Sequence, residues 1–295
     1  MIEGKEIYYG IGDINWKRPS MALRIIGDYI ILAIGSFVFL MPLFWMLGTA
    51  FKSQGEIYVF PPAFFPKGLL WSNFPNAWNY QGMQFTQWLL NTLTITIFVM
   101  IGVLLSSSLC AYGFARIKFP GRDFIFIAVL ATIMLPGAVT LIPLFVLFNK
   151  IGWLDTLKPL IVPAFFGGGA SNIFLTRQFF MTIPMELEEA AILDGASRFR
   201  IWWQICIPLS KPILAVVAVF TFQGVWNDFY GPLIYLSSPE KFTLALGINF
   251  FKTMYATQIP FMMAMSFLMV VPMIIIFFLA QKQMIRGVIL SGIKA

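Results

Sequence analysis

Six long runs of apolar residues alternate with short polar segments along the chain. Each run holds roughly 20 residues, the length that an α-helix needs to cross the hydrocarbon core of a bilayer. A soluble core is built from shorter amphipathic elements, so this pattern predicts membrane-spanning helices and an all-α, polytopic membrane protein. The predicted spans cover residues 28–50, 88–113, 124–148, 159–180, 213–236 and 260–281.

The spans predict one membrane domain, residues 28–281, with an N-terminal segment 1–27 and a C-terminal tail 282–295. The first span is longer than a signal-peptide core and lacks a small-residue cleavage site, so we expect it to stay as an anchor. The segment 51–87 is rich in proline and aromatic residues, which predicts an ordered structure at the membrane surface. Two uses of it stay open: an interfacial collar, or a surface that touches an extracellular partner.

Composition agrees with a membrane protein. Hydrophobic residues make up 59% of the chain, charged residues only 11%, and the mean hydropathy is +0.82. The chain has no histidine, so the commonest metal ligand is missing. Cys110 and Cys206 fall in or beside different spans without CxxC spacing, so we expect them to pack as small apolar residues. The net charge of +7 is spread over several loops, which disfavours a nucleic-acid partner.

Positive residues are distributed unevenly between the two sides of the predicted membrane domain. One set of loops holds 14 of the 20 Lys and Arg, including all eight arginines, and the opposite loops hold 6. Because cytoplasmic loops of membrane proteins carry the excess of Lys and Arg, we expect the richer set and both termini to be cytoplasmic. The richer set comprises residues 1–27, 114–123, 181–212 and 282–295, with Arg177.

The loop 184–212 between the fourth and fifth spans concentrates charge and predicts two short helices. Pro184 suits the first turn of a helix, where acidic residues complement the helix dipole. Gly195 suits the left-handed conformation that ends a helix. The acidic residues of the first turn are Glu186, Glu188 and Glu189.

A second short helix is expected over residues 197–207, stopped by Pro208 and Pro212. Its apolar stripe, at spacings typical of a helix, comprises Phe199, Trp202, Trp203 and Cys206. Two helices at a glycine corner fit a groove on another protein, or lie on the bilayer with the tryptophans as anchors. The residues alone leave both alternatives open.

The same loop resembles the EAA motif of bacterial ABC importer permeases, in which Glu-Ala-Ala is followed after three residues by Gly and after nine more by Ile-x-Leu-Pro. Ile207 stands where the family usually has Leu. In that family the loop inserts into a cleft of the ATP-hydrolysing subunit. The motif positions are Glu189, Ala190, Ala191, Gly195, Ile205 and Pro208. The resemblance implies a coupling surface formed by Glu188, Glu189, Ala190, Ala191, Asp194, Gly195, Ala196 and Phe199.

Other stretches resemble the carbohydrate branch of these permeases, specifically the second, maltose-type subunit. They are Leu-Asn-Thr-Leu at residues 90–93, Ala-Tyr-Gly-Phe-Ala-Arg at 111–116, Trp-Asn-Asp-Phe at 226–229 and the tail 281–288. The resemblance implies a type I ABC importer permease with six transmembrane helices, in the cytoplasmic membrane of a bacterium or archaeon. Its implied partners are a second homologous permease, two ATPase subunits, an extracytoplasmic solute-binding protein and a carbohydrate, an oligosaccharide or disaccharide.

The chain shows no chemistry of its own for hydrolysing ATP. It lacks the GxxxxGK[ST] loop that holds nucleotide phosphates, so it is not expected to be an enzyme or to hold a cofactor. ATP and Mg are therefore expected in the partner ATPase subunits. The glycines at 167–169 could mimic a phosphate loop, but small residues in a membrane helix favour close packing or a bend.

Polar and aromatic residues inside the spans are candidates for the solute path, because polar groups are costly against lipid. A sugar needs polar side chains for its hydroxyls and aromatic rings for its C–H faces. A structural role, binding a neighbouring helix or the partner permease, stays open for Asn227 and Asp228. The candidates are Asn91, Asn172, Gln223, Trp226, Asn227, Asp228 and Tyr230.

Two other functions compete with an importer subunit. A stand-alone secondary carrier or channel would also use six spans and polar groups near the membrane midplane. A carrier predicts a charge relay buried in the membrane, whereas Asp228 is the one plausible buried acid. A purely structural scaffold would need no polar residues inside the spans. The charged loop favours the importer.

Overall fold

The computed structural model of the chain describes residues 19–80, 82–252 and 258–292. The predicted N-terminal segment therefore lies largely outside the described residues, as do the last three residues of the predicted tail. The described helices, in chain order, are α1 (Pro19–Ala50), α2 (Gln54–Ile57), α3 (Asn73–Trp78), α4 (Phe85–Arg116), α5 (Arg122–Ala131), α6 (Gly137–Lys150), α7 (Lys158–Ile161), α8 (Ala170–Phe180), α9 (Glu186–Leu193), α10 (Arg198–Ile201), α11 (Ile207–Leu209), α12 (Lys211–Trp226), α13 (Tyr230–Tyr235), α14 (Leu244–Gly247) and α15 (Ile259–Gly292).

The apolar helices account for the six predicted spans, four as single runs and two as bent pairs. Within the described residues, the single runs are Ile25–Ala50, Phe85–Arg116, Lys158–Phe180 and Ile259–Gln281. The bent pairs are Arg122–Met134 with Gly137–Lys150, at 99°, and Arg198–Leu209 with Lys211–Trp226, at 81°. By length and composition, the described helices are therefore suited to cross a membrane four times, or up to six times if each bent pair is one span.

The bend in the third span follows from Pro136. A proline drives the preceding residue into extended backbone, and Leu135 adopts φ −76° and ψ 116°. A new helix starts directly after the proline, so the span consists of two helices instead of the continuous one that was predicted.

The fourth span is interrupted by glycines, as its composition indicated. Gly167, Gly168 and Gly169 all have positive φ, between 65° and 94°. A Cβ on Gly168 would lie 2.8 Å from the carbonyl oxygen of Val103 in α4. The interruption therefore lets two membrane segments approach at backbone distance.

The fifth span breaks before its predicted end, and the helix of the sixth continues beyond its span, Ile259–Gln281. Helix α12 stops at Trp226, and the next helix begins only at Tyr230, so the prediction of one helix over 213–236 is wrong. The Oδ1 atom of Asp228 accepts the backbone N–H of Gly231 at 3.0 Å and stabilises the break. Helix α15 runs on to Gly292 because no proline stops it, so residues 282–292 of the predicted tail are helical.

Helix α4 is the central element and contacts α8, α12 and α14. Apolar clusters pack against its two ends. At one end Trp88 packs with Trp226 and Phe251; at the other Tyr112 packs with Trp202 and further residues of the 181–209 segment. We call residues 184–209 the knob. The second end of α4 is therefore the knob end, and the first is the far end.

The segment after α1 forms an ordered cover at the far end, as its composition predicted. The buried Lys52 amine donates a hydrogen bond to the Ala63 carbonyl and lies 4.7 Å from the centre of the Trp45 ring. Asn73 donates to the carbonyls of Ala50 and Lys52 at 2.8 and 2.9 Å. These contacts hold the segment against the end of α1, and four of its aromatic residues stay exposed: Tyr58, Phe60, Phe65 and Trp71.

Candidate functional site

The knob, residues 184–209, begins with a short helix whose first turn is acidic. Helix α9 starts at Glu186, so Pro184 precedes the helix and does not occupy its first turn as expected. The predicted acidic residues all lie in that turn. Negative side chains there stabilise the positive end of the helix dipole.

Gly195 ends this helix in the left-handed conformation that the sequence predicted, with φ 77°. Its N–H bonds to the Ile192 carbonyl at 3.0 Å, and the N–H of Ala196 bonds to the Ala191 carbonyl at 2.9 Å. This pair of hydrogen bonds is the Schellman arrangement, which caps the free carbonyls of a helix end. The corner between the two knob helices is thus fixed by backbone geometry.

The second knob helix differs from its prediction. It passes through Pro208 and ends at Leu209, where the non-helical Ser210 introduces the bend before α12. Residues 202–206 form a π-helical turn. Trp202 and Cys206, four residues apart, both face the interior, while Phe199 and Trp203 are exposed. The predicted stripe of four apolar residues is therefore split, and Trp202 is buried in protein and cannot anchor the knob in lipid.

Most of the predicted coupling residues lie on the surface of the knob. Ala191 and Ala196 are half-buried, and Glu188 is buried, with 1% of its surface exposed. Leu193 is 88% exposed and Phe199 64% exposed, an unusual environment for large apolar side chains. We call the exposed set the knob face; it comprises Glu189, Ala190, Leu193, Asp194, Gly195 and Phe199.

Glu188 points into the molecule and pairs with Arg116, the last residue of α4. Their Oε1 and Nε atoms are 3.1 Å apart, and both side chains are at least nine-tenths buried. Arg198 approaches the other carboxylate oxygen at 3.7 Å, and the Cys206 thiol donates to Oε1 at 3.8 Å. Burying a carboxylate without such partners would be costly.

Arg116 was missed as a site residue by sequence reasoning, although it belongs to the quoted stretch 111–116. Its guanidinium donates to the carbonyls of Phe180 and Ile183 and to the sulfur of Met185. An arginine that ends a 32-residue apolar helix, opposite a loop with an excess of acids, was the available signal.

The predicted solute-path residues do not form one group. Asn91 is buried; its amide donates to the carbonyls of Glu240 and Phe242 at 2.8 and 2.9 Å, and its oxygen accepts from Gln87 at 3.0 Å. With these bonds made, its amide hydrogens are both engaged. The structure therefore places Asn91 as a support of the loop 236–243, which we call the far-end loop.

Three further candidates bond to the protein itself. The amide of Asn172 donates to the Gly168 carbonyl at 2.7 Å, and the buried Trp226 indole donates to the Met269 carbonyl at 2.9 Å. Asp228 holds the turn before α13, as described above. These side chains stabilise the helix breaks and the core.

The other three candidates are exposed at the end of α12. Gln223, Asn227 and Tyr230 follow each other at spacings of four and three residues, and Phe220 continues this exposed strip by one turn. The Asn227 amide donates to the Gln223 carbonyl at 2.9 Å and lies 3.7 Å from the sulfur of Met273. We call these four residues the polar stripe. Its amides and rings are the groups that a sugar requires.

A charged cluster closes the far end. Asp155 accepts hydrogen bonds from the backbone N–H of Ser237 and Ser238 and pairs with the Lys241 amine at 2.9 Å. These contacts, led by Lys241, hold the pKa of the Asp155 carboxyl well below its ordinary value. Among the described residues, no group of acidic or sulfur side chains is arranged to hold a metal ion.

Comparison with known proteins covers most of the chain. Residues 104–289 match the family described as "Binding-protein-dependent transport system inner membrane component". The chain is 35% identical over 266 residues to a Caldicellulosiruptor sp. (strain Rt8B.4) protein described as a putative ABC transporter permease, ORF2, covering 90% of this chain and 96% of that protein. It is 32% identical over 274 residues to the galactooligosaccharide transport permease GanQ of Bacillus subtilis, covering 92% and 96%.

The fold is similar to a chain in the crystal structure of a bacterial ABC transporter involved in the import of the acidic polysaccharide alginate. The TM-score is 0.77 at 22% identity, covering 94% of this chain and 99% of that chain. At this identity the likeness concerns the fold alone.

Proposed function

The chain belongs to the binding-protein-dependent transport system inner membrane component family, and from that premise we propose that its knob couples a membrane permease to a separate ATPase subunit. The chain is a permease subunit of a sugar importer of the ABC type and an integral protein of the inner membrane. It is not itself an enzyme, since ATP is hydrolysed in another subunit. Its solute is an oligosaccharide or disaccharide, a class that includes the solute in GanQ's name.

The partners follow from the geometry and the family. A solute-binding protein delivers the sugar; the family's description as binding-protein-dependent supports this partner. One chain offers one knob, so two ATPase subunits require a second, homologous permease that offers another. Helix α1 supports this pairing, because most of its apolar side chains from Ile26 to Phe44 are exposed and are available to lipid or to a second permease. ATP and Mg bind in the ATPase subunits.

The exposed apolar tip of the knob carries this proposal. Leu193 and Phe199 project from a corner whose backbone is fixed at Gly195, with Glu189 and Asp194 beside them. Apolar anchors surrounded by charged residues are typical of protein interfaces with a few dominant contacts. The excess of Lys and Arg in the loops at the knob end predicts that the knob lies on the cytoplasmic side, where an ATPase subunit can reach it.

Replacing Leu193 with Asp tests the docking. The variant places a charge where an apolar anchor should be buried, so we expect ATPase co-purification to weaken by roughly 30-fold or more, the effect of losing about 2 kcal/mol of binding free energy. Leu69→Asp, an exposed leucine at the far end, is the matched control and should retain the ATPase. Equal retention by both variants, or sugar uptake by vesicles that hold this chain without any ATPase, would favour a stand-alone carrier.

The polar stripe is the proposed solute-facing surface of this subunit. In the same complex, Asn227→Ala should reduce uptake by up to about tenfold, the effect of one lost hydrogen bond, and leave thermal stability unchanged. Asn91→Ala is the contrasting variant: it should lower thermal stability, because two loop carbonyls lose their donor. Thermal unfolding compares the stability of the two variants, and uptake assays over a panel of malto-, galacto- and arabino-oligosaccharides measure transport. Unchanged uptake and solute ranking in Asn227→Ala would remove the polar stripe from the solute path.

A further inference from the structure

Arg116 joins three parts of the chain at the base of the knob. Its Nε lies 3.1 Å from Glu188 in α9, its Nη1 is 2.9 Å from the sulfur of Met185, and its Nη2 bonds to the carbonyls of Phe180 and Ile183. One side chain therefore ties the end of α4 to the end of α8, the connection after it and the first helix of the knob.

This arrangement is costly if stability is its sole purpose. A buried ion pair contributes little net stability, because both charges lose their water, and apolar replacements of similar volume are often as stable. Glu188 and Arg116 are also absent from the knob face, so they do not serve docking directly. What the pair does provide is a fixed register between the knob and α4.

Helix α4 reaches from the knob to the far end. It has 32 residues, about 48 Å at 1.5 Å per residue, and its sequence contains no proline. Near its start, Trp88 donates to the Pro239 carbonyl at 2.7 Å and Asn91 to the Glu240 carbonyl at 2.8 Å. The helix that clamps the knob thus also holds the far-end loop 236–243.

Helix α12 is less suited to this task, although it follows the knob directly in the chain. An 81° bend at Ser210 separates it from the second knob helix. Among the described residues, the Ser210 hydroxyl makes no hydrogen bond that would hold the bend. By contrast, Arg116 ties the end of α4 to the base of the knob through four contacts. Movement of the knob is therefore transmitted more rigidly through α4 than through α12.

We propose that Arg116 and Glu188 are positioning residues that make α4 follow the knob, so that movement of the ATPase subunits reaches the far-end loop. The proposal rests on the proposed function, because it needs the knob to be docked. In this proposal, residues 111–116 at the end of α4 form the surface against which the knob is held.

The test follows the far-end loop while the ATPase changes state. Glu240→Cys places a thiol on this loop, at an exposed position, and its labelling by a membrane-impermeant maleimide is timed in the assembled complex. ATP with orthovanadate is the probe that traps the ATPase. In the otherwise unchanged chain we expect trapping to change the labelling rate by at least about fivefold, the lower range for coupled sites. The chain with Glu240 intact gives the background from Cys110 and Cys206.

The decisive variant is Arg116→Met with Glu188→Leu, which removes both charges and leaves neither unpaired. We expect this double variant to retain the ATPase and to lose most of the nucleotide effect on labelling. Glu188→Gln, which keeps the shape of the side chain, and Arg116→Lys, which keeps the charge, should give intermediate effects. Asp123→Asn is the matched control, because it removes an exposed ion pair with Arg122 at the same end of the molecule.

The outcomes separate this inference from the proposed function. If the unchanged chain fails to retain the ATPase, the proposed function fails. If it retains the ATPase but trapping does not alter labelling, or if the double variant responds as the unchanged chain does, the link is overturned. Loss of assembly in the double variant and in Glu188→Gln, with Asp123→Asn intact, would show that the pair only holds the fold and would overturn it too.

Discussion

A single residue at the far end, Asp155, combines an unusual backbone conformation with a full set of contacts. Its φ of 55° lies in the left-handed region, which Asp and Asn tolerate better than other non-glycine residues. Its backbone N–H bonds to the Tyr235 carbonyl at 2.8 Å, and the Lys241 amine also bonds to its carbonyl at 2.6 Å. The residue therefore joins the loop after α6 to the loop after α13.

The variant Asp155→Asn removes the carboxylate charge and keeps the backbone conformation, because Asn tolerates the same φ. It therefore measures the contribution of the charge to stability. The pKa of Asp155 is lower in the folded chain than in the unfolded one, so its contribution to stability is present above the unfolded pKa, about 3.9. That contribution is lost as the pH falls from there through the folded pKa. At pH 7 we expect the variant to lose about 1 kcal/mol, discounted for partial exposure, or about 2 °C in Tm.

Thermal unfolding of the detergent-solubilised chain between pH 7 and pH 3 checks this prediction. The difference in Tm between the two proteins should shrink below about pH 4, because the Asp155 carboxyl of the unfolded chain begins to protonate there while that of the folded chain stays ionised. A difference that stays constant over this range would show that the charge of Asp155 is not its source.

At the same scale, the knob shows what local rules can and cannot predict. The acidic first turn and the Gly195 cap follow from neighbouring residues alone, and both were predicted and observed. Which of two adjacent acids faces inward depends on Arg116, some 70 residues earlier in the chain. Helix-dipole and capping rules treat Glu188 and Glu189 alike, so the sequence grouped a buried residue with the exposed ones.

At the scale of helices, apolar runs predicted where the spans lie better than where they break. Pro42, Pro143 and Pro272 lie inside continuous helices, whereas Pro136 separates two. Membrane helices tolerate proline where neighbouring groups satisfy the freed carbonyls, and that depends on tertiary contacts which periodicity does not report. The break after Trp226 escaped prediction because apolar residues lie on both sides of Asn227 and Asp228, so the whole stretch was assigned to one span.

The interruption in the fourth span gives a prediction for a helix contact. In Gly168→Ala, the new Cβ would lie 2.8 Å from the Val103 carbonyl and 2.9 Å from the Ser106 hydroxyl, in addition to the strain at φ 65°. Gly169→Ala is the matched control: its φ is 91°, and its nearest neighbour is 3.7 Å away. Both variants should lose roughly 1–3 kcal/mol from backbone strain at positive φ, and Gly168→Ala another 1–3 kcal/mol from the clash.

Thermal unfolding of the two variants measures this difference. Because both carry the backbone strain, their difference reports the close approach of α4 to the interruption. If Gly169→Ala is as unstable as Gly168→Ala, the backbone conformation alone matters and the helix contact does not.

At the scale of the whole molecule, the two ends of α4 have different tasks. The knob end presents an apolar tip on a rigid corner. The far end is closed by hydrogen bonds that Trp88 and Asn91 donate and that the Asp155 carboxylate accepts. The charge distribution of the sequence assigns the knob end to the cytoplasm, because the arginines gather there. This assignment stays a prediction, and every functional proposal above depends on it.

Single cysteines test the orientation directly. Lys67 and Lys118 are exposed residues in connecting segments at opposite ends of the molecule, Lys67 after α2 at the far end and Lys118 after α4 at the knob end. With a membrane-impermeant thiol reagent on cells whose outer barrier is permeabilised, Lys67→Cys should be labelled and Lys118→Cys should not. After lysis both should react, which controls for accessibility of the second position. Cys110 is half-buried and Cys206 buried, so the unchanged chain should give a low background. Labelling of Lys118→Cys alone in intact cells would invert the topology, and with it the side on which an ATPase could reach Leu193.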